Sequence, residues 1–101
     1  MKYRVCREAR RDIDEIFRYW AERGGVEVAD RLIDSIVERF WLIGEHPNAG
    51  YAAETLAVGV RAFPAGKYLI YYRKISRVIN VLHVFHGARN QKAAFNSKRK
   101  R

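Results

Sequence analysis

The chain has 101 residues, 49% of them hydrophobic and 31% charged, a composition that suits one folded domain and excludes disorder along its whole length. No apolar run approaches the ~20 residues of a membrane span, and the N-terminus lacks the apolar stretch of a secretory signal, so a cytoplasmic protein with no membrane contact is expected. The net charge of +9 is unevenly placed: all 11 acidic residues fall between Glu8 and Glu54, and the residues after Glu54 carry 11 Lys and Arg with no acid, which calls for an acidic or polyanionic partner to that second half.

In chain order, Lys2 to Cys6 alternate Tyr3 and Val5 with polar neighbours, the period of a short strand. The single Cys6 excludes an internal disulfide, and with no Cys or His neighbours it makes no zinc site. It reads as a small buried residue where strand meets helix, in a reducing compartment, and neither metal nor cofactor is expected. From Glu8 the period becomes helical. Ala9, Ile13, Ile16, Phe17, Trp20 and Ala21 share one face, and Gly24-Gly25 supplies the stop. A second helix carries Ala29, Leu32, Ile33, Ile36, Val37, Phe40 and Ile43 on its apolar stripe and ends near Gly44, before His46-Pro47. Two amphipathic helices joined by a glycine pair predict an antiparallel helical hairpin. Both Trp20 and Trp41 lie on or beside these stripes and are expected to pack into the core.

Residues 48–57 read as irregular. Three strand-like runs follow, Val58 to Phe63, Lys67 to Lys74 and Arg77 to Phe85. The turn chemistry of Pro64-Ala65-Gly66 separates the first two, and a tight connection around Ile75-Ser76 separates the others, although that pair is a poor match to favoured hairpin turns. Both faces of the middle run are fairly apolar, so it is expected to be central, with Tyr68, Ile70 and Tyr72 in the core. Tyr71 shares its face with Arg73, which leaves it open between core and ligand platform. The expected fold is α+β: an N-terminal strand, an antiparallel helical hairpin packed on one face of the sheet, then a three-stranded antiparallel meander. The place of the first strand is left open. One domain over residues 1–96 is expected, with residues 97–101 as a mobile basic tail.

Three motifs in this order resemble the RelE/ParE toxin superfamily. His46-Pro47-Asn48-Ala49-Gly50 resembles that family's exit from the second helix. The segment from Arg61 through Pro64-Ala65-Gly66 to Tyr68-Leu69-Ile70-Tyr71-Tyr72-Arg73 resembles its hairpin signature, and His86-Gly87-Ala88-Arg89 resembles the closing motif of ParE members. The resemblance spans residues 3–89. It implies the toxin of a type II toxin–antitoxin module, held by an acidic, ParD-like antitoxin whose C-terminal segment wraps the toxin. ParE members poison DNA gyrase and RelE members cleave ribosome-bound messenger RNA, so fold alone does not assign the activity.

The residues favour the first of these. RNA cleavage needs the 2′-OH activated, the phosphorane stabilised and the leaving oxygen protonated. Arg61, Arg73 and Arg89 can hold phosphate and His83 can move a proton, which defines the alternative of a RelE-like ribonuclease with direct nucleic-acid contact. RelE-like nucleases, however, resemble one another in using lysine, arginine and usually a tyrosine near the C-terminus, whereas here no tyrosine follows Arg89, Phe95 has no hydroxyl to donate, and the first strand of the hairpin lacks a lysine cluster. A non-catalytic gyrase inhibitor is therefore expected, with Arg61, Tyr71, Arg73, His83, Arg89 and Phe95 as candidate contacts for antitoxin or target. Each has a plainer reading. Arg61 can pair with a helix carboxylate, His83 can be an ordinary polar residue on a partly exposed face, and His46 can simply close its helix. His83 and His86, three apart on a strand, point to opposite faces and cannot share a metal.

Overall fold

The computed structural model describes residues 2–88 and 93–95; Arg89, the expected boundary at residue 96 and the basic tail lie outside the described residues. The chain runs β1 (Lys2–Val5), α1 (Arg7–Gly24), α2 (Val26–Glu45), β2 (Tyr51–Ala52), β3 (Arg61–Ala65), β4 (Tyr68–Ile75) and β5 (Val78–His86). No helix among the described residues is long and apolar enough to cross a membrane.

Both helices form where the period predicts them. Gly24 stays helical, and Gly25 alone makes the corner: it sits at φ 93°, caps α1 through its N–H to the Ala21 carbonyl at 3.0 Å, and precedes the first residue of α2. That φ is strained for any residue with a Cβ, so one glycine sets the hairpin. The buried stripe of α2 is Ala29, Ile36, Phe40 and Ile43. It is narrower than the sequence suggests. Trp41, expected in the core, is 64% exposed, because it lies one residue and about 100° of helix beyond Phe40. Val37 also faces outward.

The sheet has five strands in the order β1-β5-β4-β3-β2. The meander is antiparallel as expected, while β1 lies parallel to β5, with Lys2 opposite Val78 and Val5 opposite Val81. The short β2, in the stretch read as irregular, pairs Tyr51 with Ala62 and Ala52 with Arg61. Two residues are too few to show a period. Likewise β3 begins at Arg61, not Val58, since Gly59 at φ 78° and the Val60 N–H bonded to the Ala57 carbonyl turn the chain just before it. Pro64 sits inside β3 opposite Leu69, and the turn proper is Gly66-Lys67, with Gly66 at φ 62°. The other hairpin turns on Ser76 at φ 57°, where glycine is the usual residue.

Both faces of the sheet are covered. The helices pack Ile16, Ile36, Phe40 and Ile43 against Tyr68, Ile70, Tyr72, Ile79, Val81 and Val84. Tyr68 and Tyr72 are thus in the core as expected. On the opposite face Val60, Ala62, Tyr71 and Phe85 bury against Ala94 and Phe95, flanked by Ala53, Leu56 and Ala57 of the loop after β2.

Candidate functional site

The candidate residues divide between the two faces. On the helix side, Arg61 of β3 lies opposite Tyr72 of β4. The guanidinium donates to the Gly50 carbonyl through Nε at 2.9 Å and to the Asn48 carbonyl at 3.1 Å. The Tyr72 hydroxyl donates to the Pro47 carbonyl at 2.8 Å and accepts the Gly50 N–H at 2.9 Å. Together they fasten the loop that leaves α2, so Arg61 is tied to backbone and not to a helix carboxylate. A Cβ on Gly50 would lie 2.6 Å from the Ala62 carbonyl oxygen and 2.7 Å from the Tyr72 hydroxyl. The His-Pro-Asn-Ala-Gly motif is therefore a loop shaped for two anchors on the sheet.

On the opposite face, Arg73 pairs with Asn80 across the strands and donates from its guanidinium to the Val58 carbonyl at 3.1 Å. Its Nε is buried without a hydrogen-bond partner among the described residues. With Cys6, Glu8, Leu82 and His83 it lines a cleft of 240 Å³. Cys6 is half-buried at the N-cap of α1 and gives no side-chain capping bond, so it is less enclosed than the sequence reading has it. Tyr71 is 3% exposed, and burial, with Tyr51 as the lesser cause, pushes its hydroxyl from 10.0 up to about 12. Phe95 is fully buried against Tyr71 and His83, ring centroids 6.1 and 5.1 Å apart.

His83 is inside the protein, 1% exposed, and not on a partly exposed face. Pairing of β1 with β5 stops at Val81, where Cys6 adds a last bond from its N–H to the Val81 carbonyl at 2.9 Å. Past that point α1 takes over the edge of β5. The Asp12 carboxylate accepts the Val84 N–H at 3.0 Å and meets His83 Nδ1 at 3.0 Å. An ionised carboxylate only accepts, so Nδ1 carries the hydrogen. A register shift between Tyr71 and Tyr72 leaves Leu82 as the extra residue of β5, and such a bulge re-aims the side chains beside it. His83 then stacks on Phe85 at 4.7 Å.

The polar groups therefore hold the fold together. Arg61 and Arg73 occupy opposite faces, and His83 is enclosed between Asp12 and two phenyl rings, so these three do not converge on one exposed phosphate position. Among the described residues no cluster of three His, Cys, Asp or Glu side chains can hold a metal ion.

Comparison with known proteins places this architecture. Residues 3–91 match the family described as the ParE toxin of the type II toxin–antitoxin system parDE. The chain belongs to the ParE toxin family. It is 34% identical over 91 residues to Toxin ParE1 of Caulobacter vibrioides, covering 90% of this chain and 94% of that relative. Toxin ParE3 of the same organism is 28% identical over 87 residues, covering 86% and 87%. The fold superposes on a chain of the chromosomal ParDE system from P. aeruginosa with a TM-score of 0.76 at 23% identity, over 85% of this chain and 95% of that one. It also superposes on a chain of the RelBE2 toxin–antitoxin complex from Mycobacterium tuberculosis, with a TM-score of 0.66 at 20% identity, over 84% and 95%.

In this ParE-family chain the residue that sequence reading passed over is Asp12. It lies three residues after Ala9 and four before Ile16, on the apolar face of α1, and is 2% exposed. A carboxylate at a core position is the available signal, since Asp is rarely buried unless paired. Its partner, far away in sequence, leaves no local trace.

Proposed function

We propose that this ParE-family toxin inhibits DNA gyrase by binding it, with no bond-breaking chemistry of its own, and that a cognate acidic antitoxin neutralises it. The observation carrying the non-catalytic reading is the burial of His83 against Asp12. The one imidazole suited to proton transfer in the ribonuclease alternative is used as a structural clamp, and Arg61 is used as a loop anchor. Binding then falls to exposed surface, where gyrase inhibition needs shape and charge and no general acid.

The antitoxin reading rests on charge. Lys67, Lys74 and Arg77 are exposed and joined to no carboxylate among the described residues, so these three cations stand ready for an acidic partner. Lys74 and Arg77 flank the turn between β4 and β5, a projecting site for an acidic segment. Such a segment, unfolded when free, would gain affinity and on-rate from this complementarity.

A supercoiling assay with purified gyrase tests the target. Added toxin is expected to block supercoiling or trap a cleavage complex, and the antitoxin to restore activity. Full supercoiling at excess toxin, together with cleaved transcripts in primer extension, would move the assignment to the ribonuclease alternative.

A further inference from the structure

Beside its buried stripe, α2 turns a second stripe to solvent. Asp30, Asp34, Glu38 and Glu45 are all exposed, and at about 100° per residue they fall within roughly 80° of one another around the helix. Trp41 lies inside that arc and Val37 just outside it, both exposed. Two features of this stripe are unfavourable for a helix standing alone. Asp30, Asp34 and Glu38 follow one another at intervals of four, where like charges repel, and Trp41 leaves a large apolar ring in water. No ion pair among the described residues offsets these carboxylates. Arg31 runs alongside without one, and Arg39 is turned back to the Ser35 hydroxyl at 2.8 Å.

At its C-terminal end the stripe meets a groove of 530 Å³ lined by Trp41, Glu45, Tyr3 and Lys2. The Tyr3 ring rests edge-on against buried Phe40 at 5.8 Å, so one wall is fixed by the core and Trp41 supplies another. Strand β1 is the edge of the sheet, and this side of it is open. The carboxylates decide what fits here. They repel nucleic acid and anionic membrane surfaces. A second copy placed symmetrically would set the acidic stripe of one α2 against that of the other. The complement is a segment with cations at helical spacing around one apolar side chain.

We propose that this face of α2 is a docking site for a basic amphipathic helix of a partner protein. Its cations lie along Asp30, Asp34 and Glu38, and one apolar side chain enters the groove between Trp41 and Tyr3. Lys2 at the far side of the groove repels a further cation there, which sets the register of the bound helix. This occupant is opposite in charge to the antitoxin proposed above, and the site does not depend on gyrase being the target.

The test follows the two indole N–H resonances of the full chain during titration with a short helical peptide of alanine and lysine carrying one central leucine. Loss of a signal in Trp41→Phe identifies the resonance of interest. The Trp41 signal is expected to shift saturably, while that of Trp20, whose N–H is bonded to Tyr68, stays in place. Exchanging the lysines of the peptide for glutamine should abolish the shift, and exchanging its leucine for alanine should weaken binding. Asp34→Asn combined with Glu38→Gln, both at exposed positions, is expected to weaken binding by roughly fivefold and to reduce its salt dependence. Equal binding of the glutamine or the leucine-free peptide, equal binding by the double variant, or an unmoved Trp41 signal overturns the proposal. So does a Trp41 signal that moves with protein concentration alone, which would assign the face to a second copy. The supercoiling assay contains none of these peptides, so the two readings fail separately.

Discussion

Asp12 and His83, 71 positions apart in sequence, meet at 3.0 Å inside the protein, and the same carboxylate oxygen accepts the Val84 N–H. One side chain of α1 thus completes the edge of β5 that the short β1 leaves open. Asp12→Ala would strand a buried N–H and a buried imidazole. Each buried donor left unsatisfied costs about 1–3 kcal/mol, and the two together are a large share of the ~5–15 kcal/mol that holds a domain together. Urea denaturation should show a much lower midpoint for Asp12→Ala and a smaller loss for Asp12→Asn, which keeps one acceptor. Equal midpoints for wild type and Asp12→Ala would show that the contact is energetically idle.

The loop after α2 makes a second claim. Gly50→Ala places a methyl against the Ala62 carbonyl oxygen and the Tyr72 hydroxyl, so the loop must move off both anchors. Tyr72→Phe leaves the Gly50 N–H without its partner inside the protein, at a cost of about 1–3 kcal/mol. Thermal unfolding is expected to rank wild type above Tyr72→Phe, with Gly50→Ala no better than the latter. A Gly50→Ala variant as stable as wild type would contradict the close approach.

Alkaline pH probes Tyr71. Its hydroxyl ionises near 10.0 in an unfolded chain and at about 12 in the fold, chiefly because burial disfavours the anion. Between those values the unfolded state has released a proton that the folded state retains, so rising pH favours unfolding. The contribution of Tyr71 to stability is complete below pH 10 and disappears as pH rises through about 12. Ultraviolet titration should show a late tyrosine phase that coincides with loss of the far-ultraviolet signal. Replacement by Phe should remove that phase.

Much of this fold is legible locally. The alternation of Tyr68, Ile70 and Tyr72 announces a core strand, and the Gly24-Gly25 pair announces a helix end, because each is a property of neighbouring residues. The polar residues are not legible in that way. Arg61 looks like a phosphate ligand until the loop at Asn48 and Gly50 folds across it, and His83 looks solvent-facing until a bulge and a distant carboxylate enclose it. Trp41 shows the limit of a helical stripe, since one position of error carries a side chain from core to solvent.

The exposed cations at the β4–β5 turn set the expected salt response. Lys74→Glu combined with Arg77→Glu should weaken capture of the proposed acidic antitoxin by roughly tenfold, since exposed pairs contribute ~0.2–1 kcal/mol each and reversal adds repulsion. Calorimetric titration at rising ionic strength should weaken wild-type binding and affect the double variant less. An affinity that ignores salt in both would remove the electrostatic role.

Phe95 tests whether the end of the chain acts as a ligand or as part of the core. Sequence alone offers it as a surface contact, yet it is 0% exposed, set among Tyr71, His83 and Phe85 on the face away from the helices. Phe95→Ala should then cost stability in the manner of a core truncation, about 3–5 kcal/mol, and Phe95→Leu much less because most of the volume remains. The gyrase inhibition proposed above should fall in Phe95→Ala in proportion to the unfolded fraction measured by circular dichroism, and return when the assay is run cold enough to restore folding. A Phe95→Ala protein that folds as firmly as wild type but no longer inhibits would make this ring a direct contact and require the segment at 93–95 to leave the sheet before it binds.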